Sequence, residues 1–173
     1  MMISLIRAAE HDLVEVEALM NFAYRQGNAG WTSEADLIGG GRTSRAMLRE
    51  DLAQRPDAAL LLWRSAEGSL IGCVWVEPAG GDIWYLGSLT VEPRQQNAGL
   101  GRGLLAAAEN WIRERGGREV EMTVVHVRDT LIAWYERRGY RATGATKPFP
   151  YGDHRFGVPK RDDLHFVVLR KRL

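Results

Sequence analysis

The sequence predicts a mixed α/β (α+β) domain, a mostly antiparallel sheet with helices on both faces. Three observations carry that prediction. Two apolar runs, Ala58 to Trp63 and Ser69 to Glu77, flank the turn Ala66-Glu67-Gly68 and form a hairpin. Strand-like residues 82–91 and 119–126 bracket residues 99–115, whose apolar side chains recur at helical spacing. A helix between two neighbouring strands is a crossover, so those strands run parallel. Finally, 173 residues suit a single domain, 1–173, with a sizeable core.

Each element has its own signal. Ile3 to Arg7 reads as a first strand, and His11 to about Arg25 as a helix with Leu13, Val16, Leu19, Met20 and Ala23 inward. Gly27 to Gly41 is a glycine-rich polar loop that holds Trp31. A second helix covers Thr43 to Gln54, capped by Thr43 or Ser44. After the hairpin comes the strand Asp82 to Val91. In the crossover helix Leu100, Leu104, Leu105, Ala108, Trp111 and Ile112 share a face, and Gly116-Gly117 ends it. The strand Glu119 to His126 leads to a short helix bearing Leu131, Ile132 and Tyr135, which Gly139 stops. Tyr140 to Thr146 begins another strand. Lys147 to Asp163 is a long loop, and Leu164 to Arg170 is the last strand. Loops longer than about a dozen residues in a compact domain usually serve function or lack order. Loops 27–41 and 147–163 are both that long, and both are aromatic and charged, so they are the expected walls of a ligand pocket.

Composition narrows the class. A net charge of +1 argues against bulk electrostatic affinity for nucleic acid or for a membrane surface. The single cysteine, Cys73, rules out an internal disulfide, and its apolar surroundings suit a buried, inert thiol. The start Met1-Met2-Ile3-Ser4-Leu5-Ile6-Arg7 does not read as a signal peptide, and no apolar run is long enough to span a bilayer. A cytoplasmic location is the expectation. No metal ligand set is assigned.

The most informative segment is Val91 to Gly103. A strand ends at Val91, a polar turn follows, and residues 96–101 read Gln-x-x-Gly-x-Gly at a helix start. The first amides of a helix lack intrahelical partners and lie in positive potential. Glycines there let an anion approach closely. The inference is a phosphate or pyrophosphate cradle. A dinucleotide fold is the rival, with Glu119 twenty residues beyond Gly99. In that fold, however, the glycines follow their strand almost at once.

Strand, Gln-x-x-Gly-x-Gly helix, strand, and a helix ending Trp134-Tyr135-Glu136-Arg137-Arg138-Gly139-Tyr140 together resemble the GNAT family of acetyl-CoA-dependent N-acetyltransferases. The likeness is strongest over residues 82–143. It implies that the two parallel strands splay apart and that acetyl-CoA is the cosubstrate. It implies pantetheine contacts from the backbones of Leu89 and Val91. It also implies a pyrophosphate cradle from the amides of Gln96, Asn97, Ala98, Gly99, Leu100, Gly101 and Arg102, with direct attack by a primary amine of a small molecule or protein. A tyrosine at the place of Tyr135 acts in the family as general acid. A phenol, with ordinary pKa about 10, can give a proton to a leaving thiolate.

Two positions depart from the family pattern. Many members carry a glutamate on the strand before the cradle, where this chain has Gly87 and then Ser88. The amine's proton must then leave through water or another group, and Glu34, Glu77 and His126 are the candidates. Gly87 would leave room for the acceptor. An asparagine frequent seven residues before the tyrosine is here Arg128, which could reach a phosphate or an acidic acceptor. Trp31, Glu34 and Arg155 are the expected acceptor contacts. The loop containing Arg155 could instead serve a homodimer contact. The missing glutamate also leaves open a non-catalytic acyl-CoA-binding regulatory module.

Overall fold

A computed structural model of the chain describes residues 2–26 and 32–173; of Gln96, Asn97 and Ala98 it describes the backbone alone. The elements are β1 (Ile6–Arg7), α1 (Leu13–Arg25), β2 (Ile38–Gly39), α2 (Arg45–Gln54), β3 (Ala59–Arg64), β4 (Leu70–Gly80), β5 (Ile83–Val91), α3 (Leu100–Arg113), β6 (Glu119–Val125), α4 (Asp129–Glu136), β7 (Arg141–Pro148), β8 (Val158–Pro159) and β9 (His165–Arg172). Seven strands form one sheet in the order β1-β3-β4-β5-β6-β9-β7. Its neighbours are antiparallel except β5 and β6, which run parallel as the crossover requires.

Side-chain alternation divides the core between the two faces. Leu61, Trp63, Val74 and Val76 pack with Leu104, Leu105, Ala108 and Ile112 of α3, and with Tyr135 of α4. Leu60, Leu62 and Cys73 point the other way, onto Leu13, Val16 and Met20 of α1 and Leu48 of α2. Cys73 is fully buried, and burial pushes its thiol up to about 12, so it is inert as expected. Ser44 caps α2, its hydroxyl accepting from the Met47 amide at 3.1 Å.

Two irregularities in β5 shape the site. The parallel ladder runs from Ile83–Glu119 to Tyr85–Glu121, while β5 continues to Val91 and β6 to Val125. The strands therefore splay. On the other edge of β5, Gly87 pairs with Trp75 and Thr90 with Cys73, so Ser88 and Leu89 together oppose Val74. This is a β-bulge, and Ser88 sits at φ 52°, the left-handed region. The extra residue puts Leu86 and Leu89 on the same core face despite their odd spacing.

Three local expectations change. The turn after Val91 is a 3-10 helix over Pro93–Ala98, begun by a proline at its first turn. The strand after Tyr140 runs on to Pro148, two residues beyond the predicted Thr146. Loops 27–41 and 147–163 meet in a two-stranded ribbon, with Ile38 opposite Pro159 and Gly39 opposite Val158. Ile38, Phe149, Leu164 and Val125 form a small apolar cluster beneath that ribbon. Among the described residues, no helix is long and apolar enough to cross a membrane.

Candidate active site

A cavity of about 680 Å³ opens where β5 and β6 part. Tyr135 and Leu131, one turn apart on α4, present the same helix face to it. Tyr135 is only 6% exposed, with its ring edge-on to Trp134 and Tyr140. Burial pushes its phenol well above the usual tyrosine value, and the neighbouring Tyr24 adds to the effect. The group is therefore neutral and proton-bearing near pH 7. Tyr140, just beyond α4, is anchored differently. Its hydroxyl donates to the buried Glu109 at 2.9 Å, and Lys171 pairs with that carboxylate at 2.8 Å.

The opposite wall comes from the end of α1, residues 34–42 and β5. Tyr24 donates a hydrogen bond to the Leu89 carbonyl at 3.2 Å. Its ring carries the Arg42 guanidinium 4.9 Å from the centroid. Arg42 also donates to the Ser88 hydroxyl at 3.1 Å. Gly87 lines the cavity beside Tyr85, and a Cβ at Gly87 would come within 2.8 Å of that ring. Glu34 lies on the same wall. Its carboxylate accepts from Arg25, and Arg128 Nη1 lies 3.9 Å away. Arg128 is fixed further by donating to the Ser33 carbonyl at 3.1 Å. Glu77 lies 3.4 Å from Arg55, and Glu121 pairs with Arg170 at 2.8 Å and Lys147 at 3.6 Å.

The expected cradle follows the C-terminal end of β5. Gly99 is left-handed at φ 74° and caps α3. A Cβ at Gly99 would meet no atom within 4 Å, so an approaching group would face backbone alone. Leu100, Gly101 and Arg102 form the first turn of α3. Their amides, with those of the preceding 3-10 turn, lie at the positive end of the α3 dipole. This arrangement fits a pyrophosphate. Arg94 is turned to Glu92, with Nε 2.7 Å from that carboxylate.

The structure thus brings Tyr135, Gly87, Leu89, Glu34 and Arg128 to one cavity. It does not bring the other expected residues there. Val91 is fully buried and pairs with Gly72, outside the cavity wall. His126 lies in the turn after β6, stacked on His165 at 3.8 Å, with its Nδ1 facing the His165 amide at 3.3 Å. It is held to the end of β9 and does not line the cavity. Arg155 was expected at the acceptor, but its guanidinium pairs with Asp51 of α2 at 2.8 Å, away from the wall. Trp31 lies outside the described residues, as do the side chains of Gln96, Asn97 and Ala98. Tyr24, Arg42 and Tyr85 line the cavity without having been anticipated. Tyr24 carried a faint signal, an aromatic with a polar tip one turn beyond Met20 on the inward helix face. Arg42, after three glycines, carried none.

Comparison with known proteins agrees with this architecture. The model of the Acetyltransferase (GNAT) family matches residues 17–140. A mycothiol acetyltransferase of Clavibacter sepedonicus is 36% identical over 105 residues, covering 58% of this chain and 34% of that protein. The chain spans about a third of the length of this curated relative. Two solved structures share the fold along nearly the whole chain. One, of the GNAT family from Desulfovibrio desulfuricans, has TM-score 0.70 at 20% identity and covers 98% of each chain. The other, a phosphinothricin acetyltransferase from Sinorhizobium meliloti in complex with AcCoA, has TM-score 0.71 at 14% identity and covers 100% of this chain and 89% of its own. The chain belongs to the GNAT acetyltransferase family.

Proposed function

We propose that this chain transfers an acetyl group from acetyl-CoA to a primary amine held in the cavity between β5 and β6, by direct attack within a ternary complex. The observation that carries the proposal is Tyr135, a buried neutral phenol facing a cleft between splayed strands. Bound acetyl-CoA supplies an activated acetyl thioester. Amides of residues 96–102 hold the pyrophosphate, and the bulged backbone at Leu89 receives the pantetheine arm like an added strand. The Tyr24 hydrogen bond to the Leu89 carbonyl keeps that backbone in place. Arg128, tied to Ser33 and Glu34, closes the wall at the foot of α4.

The chain's own groups divide the proton work. Burial keeps the Tyr135 phenol protonated, and its place on the cavity wall is what fits it to give a proton to the departing sulfur. Glu34 and Glu77 are the wall carboxylates toward which the amine's proton leaves. Glu34 is held by two guanidiniums and orients the wall, while Glu77 faces one arginine. His126 takes part through solvent alone, being off the wall. Gly87 leaves open the place where a side chain would otherwise crowd Tyr85 and the acceptor.

The curated relative is named for mycothiol, but a match to a third of its length does not carry that substrate here. Because Gly87 replaces an acid, a non-catalytic acyl-CoA-binding role is the competing reading. Thiol release from acetyl-CoA over a panel of amines decides between them. Amine-dependent release supports transfer. Tight acetyl-CoA binding with no release from any amine supports the binding module.

A further inference from the structure

We infer that the acceptor carries a carboxylate as well as its amine, and that Arg42 is the side chain that binds it. The inference rests on the acetyl-transfer reading of the cavity and names its substrate class. It starts from charge pairing on the cavity wall. Glu34 is satisfied by Arg25 and Arg128, Glu77 by Arg55, and Glu121 by Arg170 and Lys147. Arg42 is a wall cation with no carboxylate within 4.0 Å among the described residues. Its described contacts are the Ser88 hydroxyl at 3.1 Å and the face of Tyr24. A guanidinium has five N–H donors in a planar fork that matches a carboxylate.

The position of Arg42 is built rather than incidental. Asn21 Oδ1 accepts from the Arg42 amide at 2.6 Å and from the Thr43 amide at 3.1 Å, and Asn21 Nδ2 donates to the Thr43 carbonyl at 3.0 Å. Backbone and side chain are therefore both fixed. The side-chain partner, Ser88, occupies the left-handed backbone of the bulge, a strained conformation that gathers at functional sites. Ser88 adjoins Gly87, whose bare Cα borders the reaction end of the cavity. A carboxylate on Arg42 would thus place a nearby amine beside Gly87 and opposite Tyr135. A cavity of about 680 Å³ suits a small zwitterion with an apolar side chain against Phe149, Phe156 and Ile38.

The test compares matched acceptors by thiol release: L-phenylalanine and L-methionine, their α-amides, and phenethylamine and 3-(methylthio)propylamine. The wild-type chain, Arg42→Gln and Arg42→Lys are measured with each. The wild type should favour the acids by about tenfold to a hundredfold in kcat/KM, the range expected of a charge-assisted hydrogen bond. Amide amines are less basic, so chemistry alone runs against this preference. In Arg42→Gln the preference should collapse through acceptor KM, with the KM for acetyl-CoA unchanged, and lysine should restore part of it. Wild-type preference for amides or simple amines overturns the inference while leaving acetyl transfer standing. So does an Arg42→Gln variant that keeps the preference for acids, or one that shifts acetyl-CoA KM instead. Absence of release from every acceptor, with acetyl-CoA bound, removes the transfer reading and this inference with it.

Discussion

The proposed cradle and the proposed acceptor site are built from different material. At the cradle, one contiguous stretch of backbone, residues 93–102, presents amides around Gly99 at a helix start. At the cavity proposed for the acceptor, side chains gather from α1, residues 34–42, β5, the foot of α4 and β7. A backbone site depends on local conformation and tolerates most side-chain changes. A side-chain site depends on topology, and each of its charges needs a partner brought from elsewhere. Tyr135 of α4 belongs to the second kind, lining the cavity beside Leu131.

Tyr135→Phe should show the largest effect. The ring keeps its packing against Trp134 and Tyr140, so stability and acetyl-CoA affinity should hardly change. Loss of a general acid should lower kcat by about 10² to 10⁴. Because burial raises this phenol above its unfolded value of about 10, it stays protonated throughout the working range. Any stability tied to the neutral phenol is thus present below pH about 10 and lost above it. Any fall in kcat between pH 8 and 9.5 should then persist in the phenylalanine variant. If the variant abolishes that limb, Tyr135 is the group titrating there and its environment is not as described.

Glu34→Gln separates the two proposed sites more sharply. Arg25 and Arg128 would face each other without their shared carboxylate, in surroundings where all three side chains are largely buried. Breaking such a pair costs about 3–5 kcal/mol. A domain of this size should then melt roughly 6–20 °C lower, at about 2–4 °C per kcal/mol. Acetyl-CoA affinity should follow only weakly. A variant that keeps its melting point but loses turnover would show that the part of Glu34 in the proton transfer outweighs its structural one.

Gly99→Ala probes the cradle by itself. An alanine Cβ would touch no protein atom, so the protein cost is the left-handed backbone, about 1–2 kcal/mol. If anions approach here, acetyl-CoA affinity should fall about tenfold or more, beyond what the melting shift explains. Acceptor KM should stay constant. Calorimetric titration gives the first number and thermal denaturation the second, and an unaltered Kd would move the phosphate site elsewhere.

What could be read from the sequence follows the same division. Period-two and helical patterns located β3 to β6, α1 and α3, because each buries several residues on one face. The parallel β5–β6 pair followed from the crossover, and its splay from family resemblance. The cradle was legible because its glycines and its helix start are adjacent. The bulge at Ser88 was not, since it exists only relative to Val74 on another strand. The β2–β8 ribbon has two residues per strand, too few to show alternation. Charge partnership was the least legible. Arg42 and Arg155 look alike in sequence, yet Arg155 meets Asp51 from 104 positions away, while Arg42 meets no acid among the described residues.

That last contrast yields the smallest predicted effect. Arg155 and Asp51 form a pair whose side chains are 39% and 27% exposed. Partly exposed pairs of this kind contribute about 0–1 kcal/mol, less at high salt. Asp51 helps hold the Arg155 guanidinium above its ordinary value through their hydrogen bond, but this adds little at neutral pH, where arginine is charged in any case. Arg155→Ala should therefore lower the melting temperature by no more than a few degrees, with the difference shrinking as salt is added. Its other consequence depends on the ribbon. Arg155 stands three residues before β8, and β8 pairs with β2 over the cavity cluster. If the ribbon holds without the ion pair, acceptor KM in Arg155→Ala should match the wild type for acids and amides alike. A selective loss for acids would put a second guanidinium beside Arg42 when substrate is bound, drawing the 147–163 loop into recognition after all.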